Sequence, residues 1–237
     1  MSLIASLRSF LASENSNPMS ETLLMRTEDL IRGLAKDLKA VPSHPIGRRI
    51  TLGVVAGGFI ALVALATTIG VRPDFWQAIQ GFAFWMKLAY AVSLGLAATM
   101  VAADLARPEA GRPWRMLLLT VPLMLLAGIS VVQLAHAPGG DWRAMWLGNT
   151  WPTCPLTILL LSVPIFACLV WSFRRLAPTR LRVAGAAADL AAGAWAATLY
   201  CLHCPEVSAA FVLTWYSLAI ASAGGVGALL GSRLLHW

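Results

Sequence analysis

The order of apolar and polar positions along the chain is its most informative feature. Six apolar stretches, approximately 51–70, 82–103, 114–135, 155–173, 183–200 and 207–230, are separated by short gaps that hold most of the charge. A bilayer core about 30 Å thick is crossed by about 20 apolar residues as helix. None of the stretches alternates polar with apolar residues as the strands of a membrane barrel do. Helices satisfy their own backbone in lipid, so the pattern predicts an all-α membrane protein, a six-transmembrane-helix bundle spanning residues 50–237.

Orientation follows from Lys and Arg in the gaps. Arg8, Arg26, Arg32, Lys36, Lys39, Arg48 and Arg49 precede the first stretch, and Arg107, Arg112 and Arg115 follow the second. Arg174, Arg175, Arg180 and Arg182 follow the fourth, and Arg233 closes the last. The opposite face holds only Arg72 and Arg143, with Lys87 near the end of a span, where it is expected to snorkel. Both termini are therefore expected in the cytoplasm. Trp76, Trp142, Trp146 and Trp151 suit an aromatic belt on the other face. Gly53 with Gly57, and Gly227 with Gly231, have the GxxxG spacing of close helix packing, expected here inside the bundle.

Composition agrees. Of 237 residues, 58% are hydrophobic and 12% charged, about half the charge of a soluble domain. The net charge of +7 is spread over the gaps, which argues against a nucleic-acid partner and for membrane lipid. Residues 1–20 include Arg8, Glu14 and Pro18 and do not read as a secretory signal.

A shorter pattern lies ahead of the first span. Thr27 is a candidate N-cap followed by Glu28 and Asp29, and Leu30, Ile31, Leu34, Ala35 and Leu38 recur at helical spacing. Arg32, Lys36, Asp37 and Lys39 fall largely on the opposite side, and Pro42 and Pro45 end the helix, with a short hinge before Arg48 and Arg49. A helix of about fourteen residues is marginal alone in water, so the apolar stripe needs a cover. The membrane surface suits it poorly, because acids and bases balance along the helix. A protein partner is the leading reading and the chain's own loops the second. Residues 25–49 thus form a cytoplasmic segment with a short amphipathic helix. Residues 1–24 form an extension, with Met25 as an alternative start.

Four cysteines are too few for a disulfide-stapled fold. The topology puts Cys154, Cys201 and Cys204 at one membrane level. Cys168 lies fourteen residues further along its helix, about 21 Å deeper, out of reach of Cys154. The three thiols offer a static disulfide, a redox-active pair, or a soft-metal site with His203 and His136. Asp189, inside the fifth span, is an ionisable group in lipid, with a structural or an ion-conducting role. Two further readings follow: a thiol oxidoreductase built on Cys201 and Cys204, or a small metal or proton transporter built on Asp189. The first lacks a second cysteine pair. The second lacks the repeats and broken helices of known transporters.

Several segments together resemble the NrsF family, membrane-bound negative regulators (anti-sigma factors) of extracytoplasmic-function (ECF) sigma factors. They are Arg26-Thr27-Glu28-Asp29-Leu30-Ile31, Leu202-His203-Cys204-Pro205-Glu206, Phe211 with Trp215-Tyr216, and residues 174–178 with Ala184-Gly185. The resemblance runs from about Met25 to the C-terminus. It implies a non-enzymatic protein of the bacterial inner membrane whose cytoplasmic Thr27, Asp29, Leu30, Ile31, Leu34 and Leu38 bind an ECF sigma factor. It also implies two outward-facing cysteines that sense heavy metal or oxidant, here Cys154 and Cys204, with no resident cofactor and at most a transient metal ion. Cys201 departs from the family pattern, and leaves open whether Cys154 pairs with Cys204 or Cys201. The oligomeric state stays open.

Overall fold

The computed structural model describes residues 27, 29–33, 45–106, 113–174, 176 and 180–234. Every regular element among them is helical. The six long helices are α1 (Pro45–Thr68), α2 (Phe82–Leu105), α3 (Thr120–His136, entered through a 3-10 turn at Pro113–Leu119), α4 (Cys154–Phe173), α5 (Leu181–Tyr200) and α6 (Ala209–Leu234). All but α5 are long and apolar enough to cross a membrane.

Helix α5 shows why apolarity alone passes it over. It packs against α1, α2, α4 and α6, and its buried face is almost entirely alanine and glycine. Surrounded by protein, it is selected for small size. The lipid-facing helices are the reverse. Phe59 on α1, Met124 and Leu125 on α3, Leu160 on α4 and Leu229 on α6 are large, apolar and exposed, which suits contact with acyl chains.

Glycines set the closest approaches. A Cβ on Gly185 would stand 2.4 Å from the Gly227 carbonyl oxygen, and one on Gly227 would stand 2.4 Å from the Asp189 Cβ. On the other side of the bundle, a Cβ on Gly57 would lie 2.5 Å from the Ile165 Cα. The GxxxG pairs thus serve helix packing within the chain, α5 on α6 and α1 on α4. Asp189 is buried against the backbone of Gly227, and its Oδ1 has no hydrogen-bond partner.

Two expectations change. Helix α1 begins at Pro45, so Arg48 and Arg49 lie in its first turns and the hinge expected before them is helical. Proline is suited to a helix start, where its fixed φ fits and its missing N–H is not needed. Helix α6 carries a π-helical stretch at Val212–Tyr216, which no spacing in the sequence announced.

The helices alternate in direction. The Arg49 carbonyl accepts from Ser172 Oγ (3.1 Å) and the Leu234 carbonyl from Arg174 Nε (2.8 Å), so α1 begins where α4 and α6 end. Arg115 pairs with Asp104 between α2 and α3. The N-terminal segment forms a separate unit, helical at Thr27 and at 29–33, with Leu30 and Ile31 exposed. Thr27 is itself helical. Leu34, Leu38 and the rest of the expected stripe lie outside the described residues.

Candidate functional site: a buried thiol cluster

Helix α5 ends in a tight turn. The Tyr200 carbonyl accepts the backbone N–H groups of both His203 and Cys204 at 3.0 Å, so Cys201 and Cys204 sit one turn apart. Pro205, which has no N–H, then stops the helical pattern. Cys154 is the first residue of α4, and all three thiols are free and fully buried. Cys154 neighbours Cys204, Cys201 and the Tyr200 hydroxyl. The Tyr216 hydroxyl lies against Cys201 and Cys204 and is buried without a nitrogen or oxygen partner. The π-helical stretch contributes the Tyr216 that closes this side of the cluster. Burial pushes the Cys201 thiol up to about 12, and the nearby Lys87 ammonium opposes the rise. The Cys201 Sγ–H donates to the Ala197 carbonyl at 3.3 Å.

Lys87 corrects an expectation. Its side chain is 1% exposed and does not snorkel. Nζ donates to the carbonyl oxygens of Cys204 (3.0 Å) and Glu206 (2.6 Å). A signal for this was present: Lys87 falls on the same face as Ala91, Leu94 and Ala98, the buried stripe of α2. Its helix starts at the thiol end, and side chains lean toward a helix N-terminus.

Glu206 gains a specific partner set in the fold. Its Oε1 accepts from the backbone N–H of Asn149 (2.7 Å) and Thr150 (3.1 Å) and from Thr150 Oγ1 (3.2 Å). The carboxylate thereby fastens the approach to α4 onto the α5–α6 loop. Gly148 is obligatory for this: its φ is +58°, and a Cβ there would fall 2.7 Å from the Glu206 Cδ.

The third fastening runs to α1. Gly70, with φ +79°, ends that helix in a left-handed turn, its N–H bonded to the Leu65 carbonyl at 2.8 Å. Its carbonyl accepts from His203 Nδ1 (3.0 Å), which fixes the proton on that nitrogen. The Arg72 backbone N–H donates to the Leu202 carbonyl (3.2 Å), and Arg72 NH1 reaches the Cys204 carbonyl (3.3 Å). Asp74 orients Arg72 through two further bonds of 2.7 and 2.6 Å, and that pairing holds the Asp74 carboxyl below its ordinary value. Helix α3 joins as well, with Gln133 Oε1 accepting from the Ala209 N–H (2.9 Å). Trp215 meets Trp146 and Trp151 ring to ring in tilted pairs, with centroids 6.0 and 5.4 Å apart.

The remaining candidate ligands stand apart from the thiols. His136 bonds the Val132 carbonyl of its own helix (2.8 Å), and Cys168 is on the far part of α4, partly buried. Among the described residues, no group of three His, Cys, Asp or Glu side chains is arranged to hold a metal ion. The structure therefore brings together Cys154, Cys201 and Cys204 with Tyr200, Tyr216 and Lys87 in one buried cluster.

Residues 34–237 match the family described as NrsF, negative regulator of sigma F. A probable anti-sigma-F factor NrsF of Azospira oryzae is 38% identical over 213 residues, covering 90% of this chain and all of the relative. The anti-sigma-F factor NrsF of Caulobacter vibrioides is 38% identical over 216 residues with the same coverage. No solved structure matches the chain. With two relatives at this identity over nearly its whole length, and the family pattern running from within the N-terminal segment through α6, this chain belongs to the NrsF family.

Proposed function

We propose that the protein is a multi-pass inner-membrane anti-sigma factor that holds an ECF sigma factor through its N-terminal segment. It releases that factor when heavy metal or oxidant reacts at Cys154 and Cys204. All six long helices cross the membrane, α5 included, because α5 is as long as α4 and is shielded from lipid by its neighbours. The end where α1 begins and α6 ends carries Arg48, Arg49, Arg115, Arg174, Arg182 and Arg233, which assigns it to the cytoplasm by the positive-inside rule. The thiol end then faces outward, into a compartment that permits thiol oxidation.

One observation carries the signalling part of this reading. The loop that bears Cys201 and Cys204 is hydrogen-bonded to Gly70 and Arg72 at the end of α1, and the other end of α1 leads back to the sigma-binding segment. A chemical change at Cys204 has a direct mechanical route to α1. Coupling requires that the reacted and unreacted thiols favour different arrangements of α1, and that the sigma factor distinguishes them. Leu30 and Ile31, exposed on the N-terminal segment, supply the start of an apolar face for helix-in-groove docking.

The test is target-gene output in strains carrying Cys154→Ser or Cys204→Ser, exposed to cadmium or peroxide. The reading expects loss of induction in both. Normal induction in both would refute it.

A further inference from the structure

We propose that Cys201 is a resolving thiol, which takes over a disulfide first formed between Cys154 and Cys204 and leaves a Cys201–Cys204 bond. The proposal rests on the thiol-sensing reading above and adds the fate of the sensing bond.

Three observations converge on it. Cys204 is the shared neighbour: it interacts with Cys154 across the α4 boundary and with Cys201 in its own turn. One helical turn separates Cys201 from Cys204, which sets their Cα atoms roughly 5 Å apart, inside the disulfide range of about 4.4–6.8 Å. Finally, Cys201 has the buried Lys87 for a neighbour. The Lys87 ammonium opposes the rise that burial imposes on its thiol, and the Tyr216 hydroxyl lies against both Cys201 and Cys204. Lys87 is held there by the Cys204 and Glu206 carbonyls, so its charge stays beside the turn that carries both thiols.

The chemistry balances in two steps. With a peroxide as oxidant, Cys154 and Cys204 lose two electrons and two protons to form their S–S bond, and the peroxide becomes two waters. Cys201 then gives up its proton and its sulfur attacks the Cys204 sulfur. The Cys154–Cys204 bond breaks, the Cys201–Cys204 bond forms, and Cys154 leaves as a thiolate that takes up the proton Cys201 released. No oxidant is consumed in this second step. Its consequence is mechanical: the first disulfide ties α4 to the α5–α6 loop, and the second frees α4 while keeping Cys204 oxidised.

Full-length protein in detergent, treated with hydrogen peroxide and quenched at intervals with N-ethylmaleimide, is digested without reduction and its linked peptides measured by mass spectrometry. Wild type is expected to show Cys154–Cys204 early and Cys201–Cys204 late. Cys201→Ser and Cys201→Ala should retain at least tenfold more Cys154–Cys204 at the late time. A wild-type end point of Cys154–Cys204 with Cys201 alkylated would overturn the proposal and leave the sensing reading intact. So would Cys201–Cys204 formation at an unchanged rate in Cys154→Ser. No disulfide at Cys204 under any condition would overturn both.

Discussion

His203 donates from Nδ1 to the carbonyl oxygen of Gly70 at 3.0 Å, joining residues 133 positions apart, one in the thiol-bearing loop and the other at the left-handed end of α1. Arg72 repeats the link through its backbone N–H and its guanidinium. These contacts join the thiol-bearing loop to the helix that follows the N-terminal segment in the chain, and the proposed function takes them as its signal route.

If that route transmits the signal, His203→Ala combined with Arg72→Ala should uncouple sensing from output. Thiol oxidation should proceed as in wild type while induction of target genes drops at least about fivefold, the lower end of ordinary coupling energies. Reporter assays paired with alkylation of the same cells measure both. Full induction in the double variant would contradict the route.

Lys87→Met should destabilise the fold. It leaves the Cys204 and Glu206 carbonyls without the ammonium that both use, and unpaired buried acceptors cost about 1–3 kcal/mol. Thermal unfolding of the detergent-solubilised protein should register a lower midpoint. An unchanged midpoint would mean that the two carbonyls find another donor.

Close packing makes a paired prediction. Gly227→Ala sets a methyl group against Asp189 and the Gly185 carbonyl, an overpacking that costs about 1–3 kcal/mol. Gly128→Ala on α3, with nothing within 4 Å, should be neutral or stabilising because alanine is the better helix former. Comparing the two midpoints checks that α5–α6 contact, rather than glycine itself, sets the requirement.

The pH dependence of Cys201 follows from its burial. A thiol pushed up to about 12 is protonated at neutral pH, and the thiolate is the nucleophile. Iodoacetamide labelling of Cys201 in the folded protein should therefore rise about tenfold per pH unit between pH 7 and 9.5. An unburied thiol levels off near its ordinary value of about 8.5. Peptide mass spectrometry reads the rate, and a plateau by pH 9 would contradict the burial.

Sequence and structure agree best where lipid dictates the pattern. The apolar runs located the long helices because lipid-facing residues such as Phe59 and Met124 have no role except apolarity. Boundaries shifted where that rule lapses: Pro45 starts α1 ahead of two arginines, since a helix extends beyond the bilayer core. Three thiols at one level were legible from topology alone. Their partners were not, because Glu206 with Thr150, and Lys87 with the Cys204 carbonyl, are pairings between distant segments that only the packed bundle creates. The π-helical turn that carries Tyr216 has no spacing signature at all. The family motif preserved the residues without revealing what they hold.

The central claim is most directly tested by co-purification. Full-length protein, tagged and extracted from its native membranes, should retain a sigma factor from unstressed cells and lose most of it after cadmium or peroxide exposure, with loss abolished in Cys204→Ser. Absence of a sigma factor from the unstressed preparation, or equal retention before and after stress, would contradict the account.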